Sequence, residues 1–234
     1  MFYPERITRI KPGDRVLEVG PGNAPHPRSD VLLELAVDSD AERERQQGGA
    51  GKLATDKPVV YYRGGRFPFR DGEFDYVICS QVVEHVDDVP LFAAELARVA
   101  GAGYVEFPSA VYEYLYNFDV HVNFVAFRHG ELCYMKKAET PLDYFAGVQR
   151  FLRTTLQQGY SGLVDSLVRD MIEGFEWTGS LPVRRVTKFE DIFDGDRPVA
   201  RYEPRNGIVT RALRRGVRAL ASRMARRAGR MGQR

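Results

Sequence analysis

A chain of 234 residues, 44% apolar and 28% charged, can bury one full hydrophobic core and has the make-up of an ordinary globular protein. Two cysteines argue against a disulfide framework, no apolar run approaches the length of a membrane-spanning helix, and residues 1–14 lack the apolar stretch of a secretory leader, so the expected setting is cytoplasmic. The net charge of +2 conceals a polarity, because ten arginines and no acid stand between residue 205 and the end.

The first expected strand covers 15–19 and empties into Gly20-Pro21-Gly22-Asn23. Two glycines without Cβ atoms at a strand end allow a ligand to approach the main chain closely, and in an open α/β sheet that edge is where ligands bind. Pro25 and Pro27 follow and disfavour a regular helix, so the connection to the second strand, 31–35, is expected to be a very short helix or a loop. A polar, glycine-bearing stretch over 41–51 precedes a brief third strand at 59–62.

A second informative block runs from Phe67 to Val86. A Pro/Gly/Asp turn leads into a buried fourth strand at 75–80, then Ser80-Gln81-Val82-Val83-Glu84-His85-Val86. Apolar spacing predicts a helix over 89–100, then a fifth strand over 102–107 stopped by Pro108. Residues 120–127 and 131–136, separated by Arg128-His129-Gly130, read as a β-hairpin. Alternation within it is expected to place Asp119, His121 and Asn123 on one face. Residues 142–173 read as mostly helical with breaks at Gly159 and Gly162, and 175–186 as a further strand anchored by Trp177.

Taken together, Leu17-Glu18-Val19-Gly20-Pro21-Gly22 and Phe74-Asp75-Tyr76-Val77 with Glu84-His85-Val86 resemble the class I S-adenosylmethionine-dependent methyltransferases of the type 11 kind. The resemblance covers roughly 15–109. It implies a Rossmann-like α/β fold, a mostly parallel seven-strand sheet closed by an antiparallel hairpin, with S-adenosylmethionine as cofactor. Gly20, Gly22 and Asn23 would form the cofactor loop, and Glu18 would hold the cofactor's amino end. A carboxylate at the second strand tip, Glu34 with Asp38 as second choice, would take the ribose diol. Ser80, Gln81 and Val82 would open onto the cofactor. The family's usual acid before the Pro-Phe motif is replaced by Arg63-Gly64-Gly65-Arg66, so the adenine contact is expected from backbone near Gly64 or Gly65.

Methyl transfer to a hydroxyl requires alignment and removal of a proton. Candidates for the second task are His121, Glu106 at the end of the fifth strand, and His85. No metal-ligand set is assigned from the sequence. Tyr112, Tyr114, Tyr116 and Phe118, at alternating positions, suggest an aromatic wall for a small-molecule or glycan acceptor, lipid-linked acceptors included, with O-methylation the leading reading. Two rivals stand beside this one. A nicotinamide-dependent oxidoreductase would need a third glycine where Pro25 stands. A non-catalytic Rossmann-like binding protein would use the fold only as a scaffold.

The expected organisation is a catalytic domain over 1–204, with substrate-side additions at 137–190, and a tail at 205–234. In that tail Leu213, Val217, Leu220, Met224, Ala228 and Met231 recur every three or four positions between arginines. This is the pattern of a cationic amphipathic helix, suited to an anionic membrane surface better than to nucleic acid, since it carries no aromatic ring for stacking.

Overall fold

The computed structural model describes residues 1–37, 53 and 55–193. The chain divides into two compact units, Met1–Gly195 and Asp196–Arg234. Asp38, the 41–51 stretch and the arginine tail lie outside the described residues.

The first unit is built on a six-stranded sheet. Five parallel strands are β1 (Val16–Val19), β2 (Val31–Leu35), β3 (Val59–Tyr62), β4 (Tyr76–Ser80) and β5 (Ala102–Pro108). Strands β6 (Asn123–Arg128) and β7 (Glu131–Lys136) form the expected hairpin, followed by β8 (Ile172–Thr178) and β9 (Val183–Arg185). The sheet order is β3-β2-β1-β4-β5-β8, with β8 antiparallel to β5.

Strands β1 and β4 read as apolar runs because both their faces are covered. Leu17, Val19, Val77, Cys79, Val105 and Phe107 face one core, closed by helix α1 (Val89–Val99) through Phe92, Ala93, Leu96 and Val99. Val16, Tyr76, Ile78 and Tyr104 face the other side, where Ile7 and Ile10 of the N-terminal segment pack. Asp88 caps α1 by accepting from the Leu91 N–H at 2.9 Å, and Pro90 stands in its first turn, where a missing N–H costs nothing.

Between β1 and β2 there is no helix, as the prolines require. The loop that replaces it is pinned from both sides. Glu18 accepts from the His26 N–H at 2.8 Å and from Ser29 Oγ at 2.6 Å. Lys57 Nζ donates to the carbonyls of His26, Pro27 and Ser29 at 2.8, 3.1 and 2.6 Å.

The expected closing hairpin is displaced. β6 and β7 do not join the main sheet; with β9 they make a separate three-stranded sheet. The physical reason is that both faces of the hairpin are apolar. Val125, Leu132 and Tyr134 enter the main core, whereas Phe124, Ala126, Cys133 and Met135 build a second core with Leu142, Val186 and Ile192. A layer apolar on both sides is better placed between two cores than at a sheet edge. The edge of β5 is taken instead by β8, whose Phe175 stacks on Phe127 of the hairpin at 3.7 Å between ring centroids.

Two further expectations are corrected. The 112–116 tyrosines lie on helix α2 (Ala110–Tyr116), capped by Ser109 and ended at Asn117, which takes a left-handed conformation. Alternate positions therefore do not share a face, and Tyr114 turns into the second core beside Phe145, Phe189 and Phe193. His121 lies in the turn before β6 rather than in the strand. Helices α3 (Ala146–Gln157) and α4 (Gly162–Met171) fill the expected helical stretch, with Gly159 at positive φ between them.

Candidate functional site

The sheet order reverses beside β1, whose neighbours are β2 on one side and β4 on the other, so the crevice beyond the carboxyl ends of β1 and β4 is the topological switch point where ligands bind. A cleft of about 760 Å³ opens there, within the range of small-ligand sites. Its lining includes Glu18, Gly20, Gly22, Asn23, Glu34, Gly64, Ser80, Gln81, Val82, His85 and His121. Of the catalytic and cofactor candidates, Glu106 does not line it and Asp38 is not described, and of the four expected wall residues Tyr114 and Tyr116 do not line it.

Gly20 and Gly22 both take positive φ, 64° and 62°. A Cβ on Gly20 would lie 2.5 Å from Val82 Cγ2, whereas a Cβ on Gly22 would meet none of the described residues within 4 Å. Gly20 is therefore required by the protein's own packing, and Gly22 leaves open space against the cleft. Gly64 and Gly65 also take positive φ, and a Cβ on either would meet none of the described residues within 4 Å. That segment is held through the 67–71 block. Phe67 N–H donates to Glu95 at 2.7 Å, while Arg98 donates to the carbonyls of Phe69 and Phe67 and forms a two-pronged pair with Glu95 at 2.8 and 2.6 Å.

Glu18 is nearly fully buried. Burial pushes its carboxyl above the ordinary value, opposed by its bonds from Ser29 and His26. One oxygen is thus committed to the loop, which fixes where the other lies at the cleft. Gln81 carries φ of 58° and donates its N–H to the Glu106 carbonyl, shaping the turn out of β4.

Glu106 is a correction. It is fully buried, and its carboxylate accepts from the N–H groups of Phe2 and Tyr3, from Ser80 Oγ and from the Tyr104 hydroxyl. The alternation of β5 turns it to the face where the N-terminal segment packs, opposite Val105 and Phe107. It ties that segment down, and Met1 and Phe2 in turn line the cleft.

The polar end of the cleft comes from a 3₁₀ turn at Val83–His85 and the turn before β6. Asn123 fastens the first, donating to the carbonyls of Val83 and Val86 at 3.1 and 2.6 Å, and the Val122 N–H bonds to the Glu84 carbonyl. This brings His85 and His121 edge to face, 4.7 Å between ring centroids. Each imidazole is held by Nδ1. That of His85 bonds the Val120 carbonyl at 3.0 Å and that of His121 bonds Glu113 Oε2 at 2.5 Å. Both partners are acceptors, so each Nδ1 donates a proton, and Nε2 is the ring nitrogen left for other groups. Burial and the neighbouring His121 push His85 down to about 4, so its ring is neutral.

Two carboxylates complete this end, and the sequence reading gave neither a chemical role. Glu113 of α2 is buried and pairs with Lys137 Nζ at 2.5 Å as well as with His121; burial opposes its ionised form, but these bonds outweigh it and hold it below the usual range. Glu84 is 1% exposed, and neither carboxylate oxygen has a hydrogen-bond partner among the described residues. Burial pushes it up to about 7. The one available signal for Glu113 was a charged residue inside an aromatic run. Tyr112 and Phe118 stand at the cleft edge beside this cluster.

Residues 30–105, about a third of the chain, match the family model described as a methyltransferase domain. No curated protein matches. Among solved structures, one is an S-adenosylmethionine-dependent methyltransferase from Mesorhizobium loti, 14% identical, covering 70% of this chain and 90% of that one with a TM-score of 0.38. Another, a SAM-dependent methyltransferase from Aquifex aeolicus, is 18% identical over 42% of this chain and 58% of its own, with a TM-score of 0.28. The chain spans about half the length of the first solved structures it matches.

Proposed function

We propose, from the premise that this chain carries a methyltransferase domain of the class I S-adenosylmethionine-dependent type, that it methylates a small-molecule or glycan acceptor at a hydroxyl. The observation that carries the reading is the Gly20/Gly22 turn at the switch point, opening into a cleft that a side chain at either glycine would strain or narrow. The residues fit a nucleoside of that kind. Gly20, Gly22 and Asn23 offer bare backbone, Glu34 stands at the β2 tip for a diol, and the Gly64–Gly65 backbone offers polar groups to a purine edge.

When bound, S-adenosylmethionine supplies a methyl carbon made electrophilic by its positive sulfur. The protein's part is alignment, which in well-oriented reactions is worth roughly 7–11 kcal/mol of the barrier. The acceptor enters past Tyr112 and Phe118, and its oxygen is activated at the Glu84–His85–His121 end, where the two imidazoles converge. Lipid-linked acceptors belong to the same reading, with the arginine-rich 205–234 segment holding the protein at an anionic surface.

Titration calorimetry with S-adenosylhomocysteine tests the reading. A one-to-one complex is expected, and no heat at high micromolar ligand would overturn it. With an acceptor in hand, His121→Ala is expected to lower kcat by about a hundredfold or more while leaving S-adenosylhomocysteine affinity unchanged.

A further inference from the structure

The polar end of the cleft has the composition of a metal site, although no ligand set was visible in the sequence. Glu84, His85 and His121 each offer a donor atom, and the three atoms lie within 4.8 Å of one another. We infer that these three residues bind one divalent first-row transition ion in the cleft, leaving coordination positions open towards an oxygen of the acceptor.

Four features of the structure carry this. The first is the donor set. Two imidazoles and one carboxylate with open positions suit Zn²⁺ or Fe²⁺. The second is the orientation of the rings. The Val120 carbonyl and the Glu113 carboxylate engage Nδ1 of each imidazole, which leaves Nε2 as the nitrogen for an ion. The third is what stands behind the ligands. A metal-bound histidine usually donates its other N–H to a carboxylate or a backbone carbonyl, which fixes its tautomer and raises its basicity. His121 has the first kind of partner and His85 has the second.

The fourth is Glu84 itself. A buried carboxylate without hydrogen bonds is costly, and native proteins leave few such groups. Asn123 and Val122 hold its backbone in place, yet no group among the described residues satisfies its two oxygens, and Oε1 lies 4.0 Å from His85 Nε2. Lys137 and His121 hold Glu113, and among the described residues no cationic side chain is bonded to Glu84. A cation between Glu84 and the two Nε2 atoms supplies the missing partner. Ligand distances of about 2.0–2.2 Å require only that the three side chains draw together.

In such a site the imidazoles act as ligands rather than as bases, and the cation lowers the pKa of a bound hydroxyl. That catalytic consequence rests on the methyl-transfer reading; the binding of the ion does not.

The experiment is metal uptake by the full chain, stripped with chelator and then titrated with Zn²⁺ and, for its visible absorption, Co²⁺. One equivalent is expected to bind, with Co²⁺ bands of nitrogen and oxygen coordination. His85→Ala, His121→Ala and Glu84→Gln should each weaken uptake by more than tenfold, and Glu113→Gln by about tenfold to a hundredfold. His129→Asn, at an exposed turn, should leave uptake unchanged. Circular dichroism and S-adenosylhomocysteine binding identify any variant that fails to fold, and the two histidine variants decide the matter if Glu84→Gln does. Absence of stoichiometric uptake by the native chain overturns the inference, as does uptake that survives both histidine substitutions. A chain that takes up metal but not S-adenosylhomocysteine keeps this site and loses the methyl-transfer reading.

Discussion

At the scale of single residues, the two loop glycines do different work although the sequence presents them as a pair. Gly20 is clamped against Val82, and Gly22 faces open space. Gly20→Ala is therefore expected to cost about 1–2 kcal/mol for a left-handed backbone alone, with the Val82 clash in addition. A lowered urea midpoint together with weakened S-adenosylhomocysteine binding checks this. Gly22→Ala should be milder for stability and should act mainly on ligand affinity, read by calorimetry. The motif made both positions visible, but only the packing assigns them separate roles. The same holds for the acids. Glu106 is prominent in the sequence at a strand end, yet strand alternation and its bonds from Phe2, Tyr3, Ser80 and Tyr104 make it a tether for residues 2 and 3. Glu113 shows in the sequence only as a charged residue inside an aromatic run, yet it orients His121.

At the scale of elements, the 67–71 block shows how a loop is made rigid without regular structure. Arg98 and Glu95 on α1 reach out to its backbone, and the hydrogen bond from Arg98 is the main cause that holds the Glu95 carboxyl below its usual value of 4.5. A carboxyl depressed in the folded state favours folding in its ionised form. Its contribution is therefore fully present above pH 4.5 and is lost as pH falls through the folded value. Glu95→Gln is expected to cost about 1.5–3 kcal/mol at neutral pH. The gap between native and variant urea midpoints should shrink on acidification below pH 4.5; a gap constant with pH would show that the pair contributes nothing. Strand and helix positions were largely legible, because parallel strands read as short apolar runs and α1 has a helical period with its cap. The destination of the hairpin was not. Period-two alternation tells which residues share a face, but not that both faces would find a core.

At the scale of the whole molecule, the switch point between β1 and β4, the glycine turn and the cleft all belong to the Met1–Gly195 unit. Removal of residues 196–234 is accordingly expected to leave S-adenosylhomocysteine affinity unchanged within error. If the arginine-rich segment serves an anionic surface, the same deletion abolishes sedimentation with vesicles containing phosphatidylserine, in a salt-sensitive manner. Sedimentation unchanged by the deletion would remove the membrane role and leave the cleft untouched. Among the described residues no helix is long and apolar enough to cross a membrane.

The succession of parallel strands along the chain and the glycine turn that opens the cleft were legible in the sequence alone, since each follows from short-range rules. An apolar run followed by two glycines makes a strand and an open turn, and prolines remove the helix that would otherwise follow. The polar end was decided only by tertiary structure. Glu84, Glu113 and His121 are separated in the chain and come from a 3₁₀ turn, a helix and a loop, brought together by the bonds of Asn123 and Val122. Their chemistry depends on burial and on which nitrogen finds an acceptor, and neither is a property of local sequence.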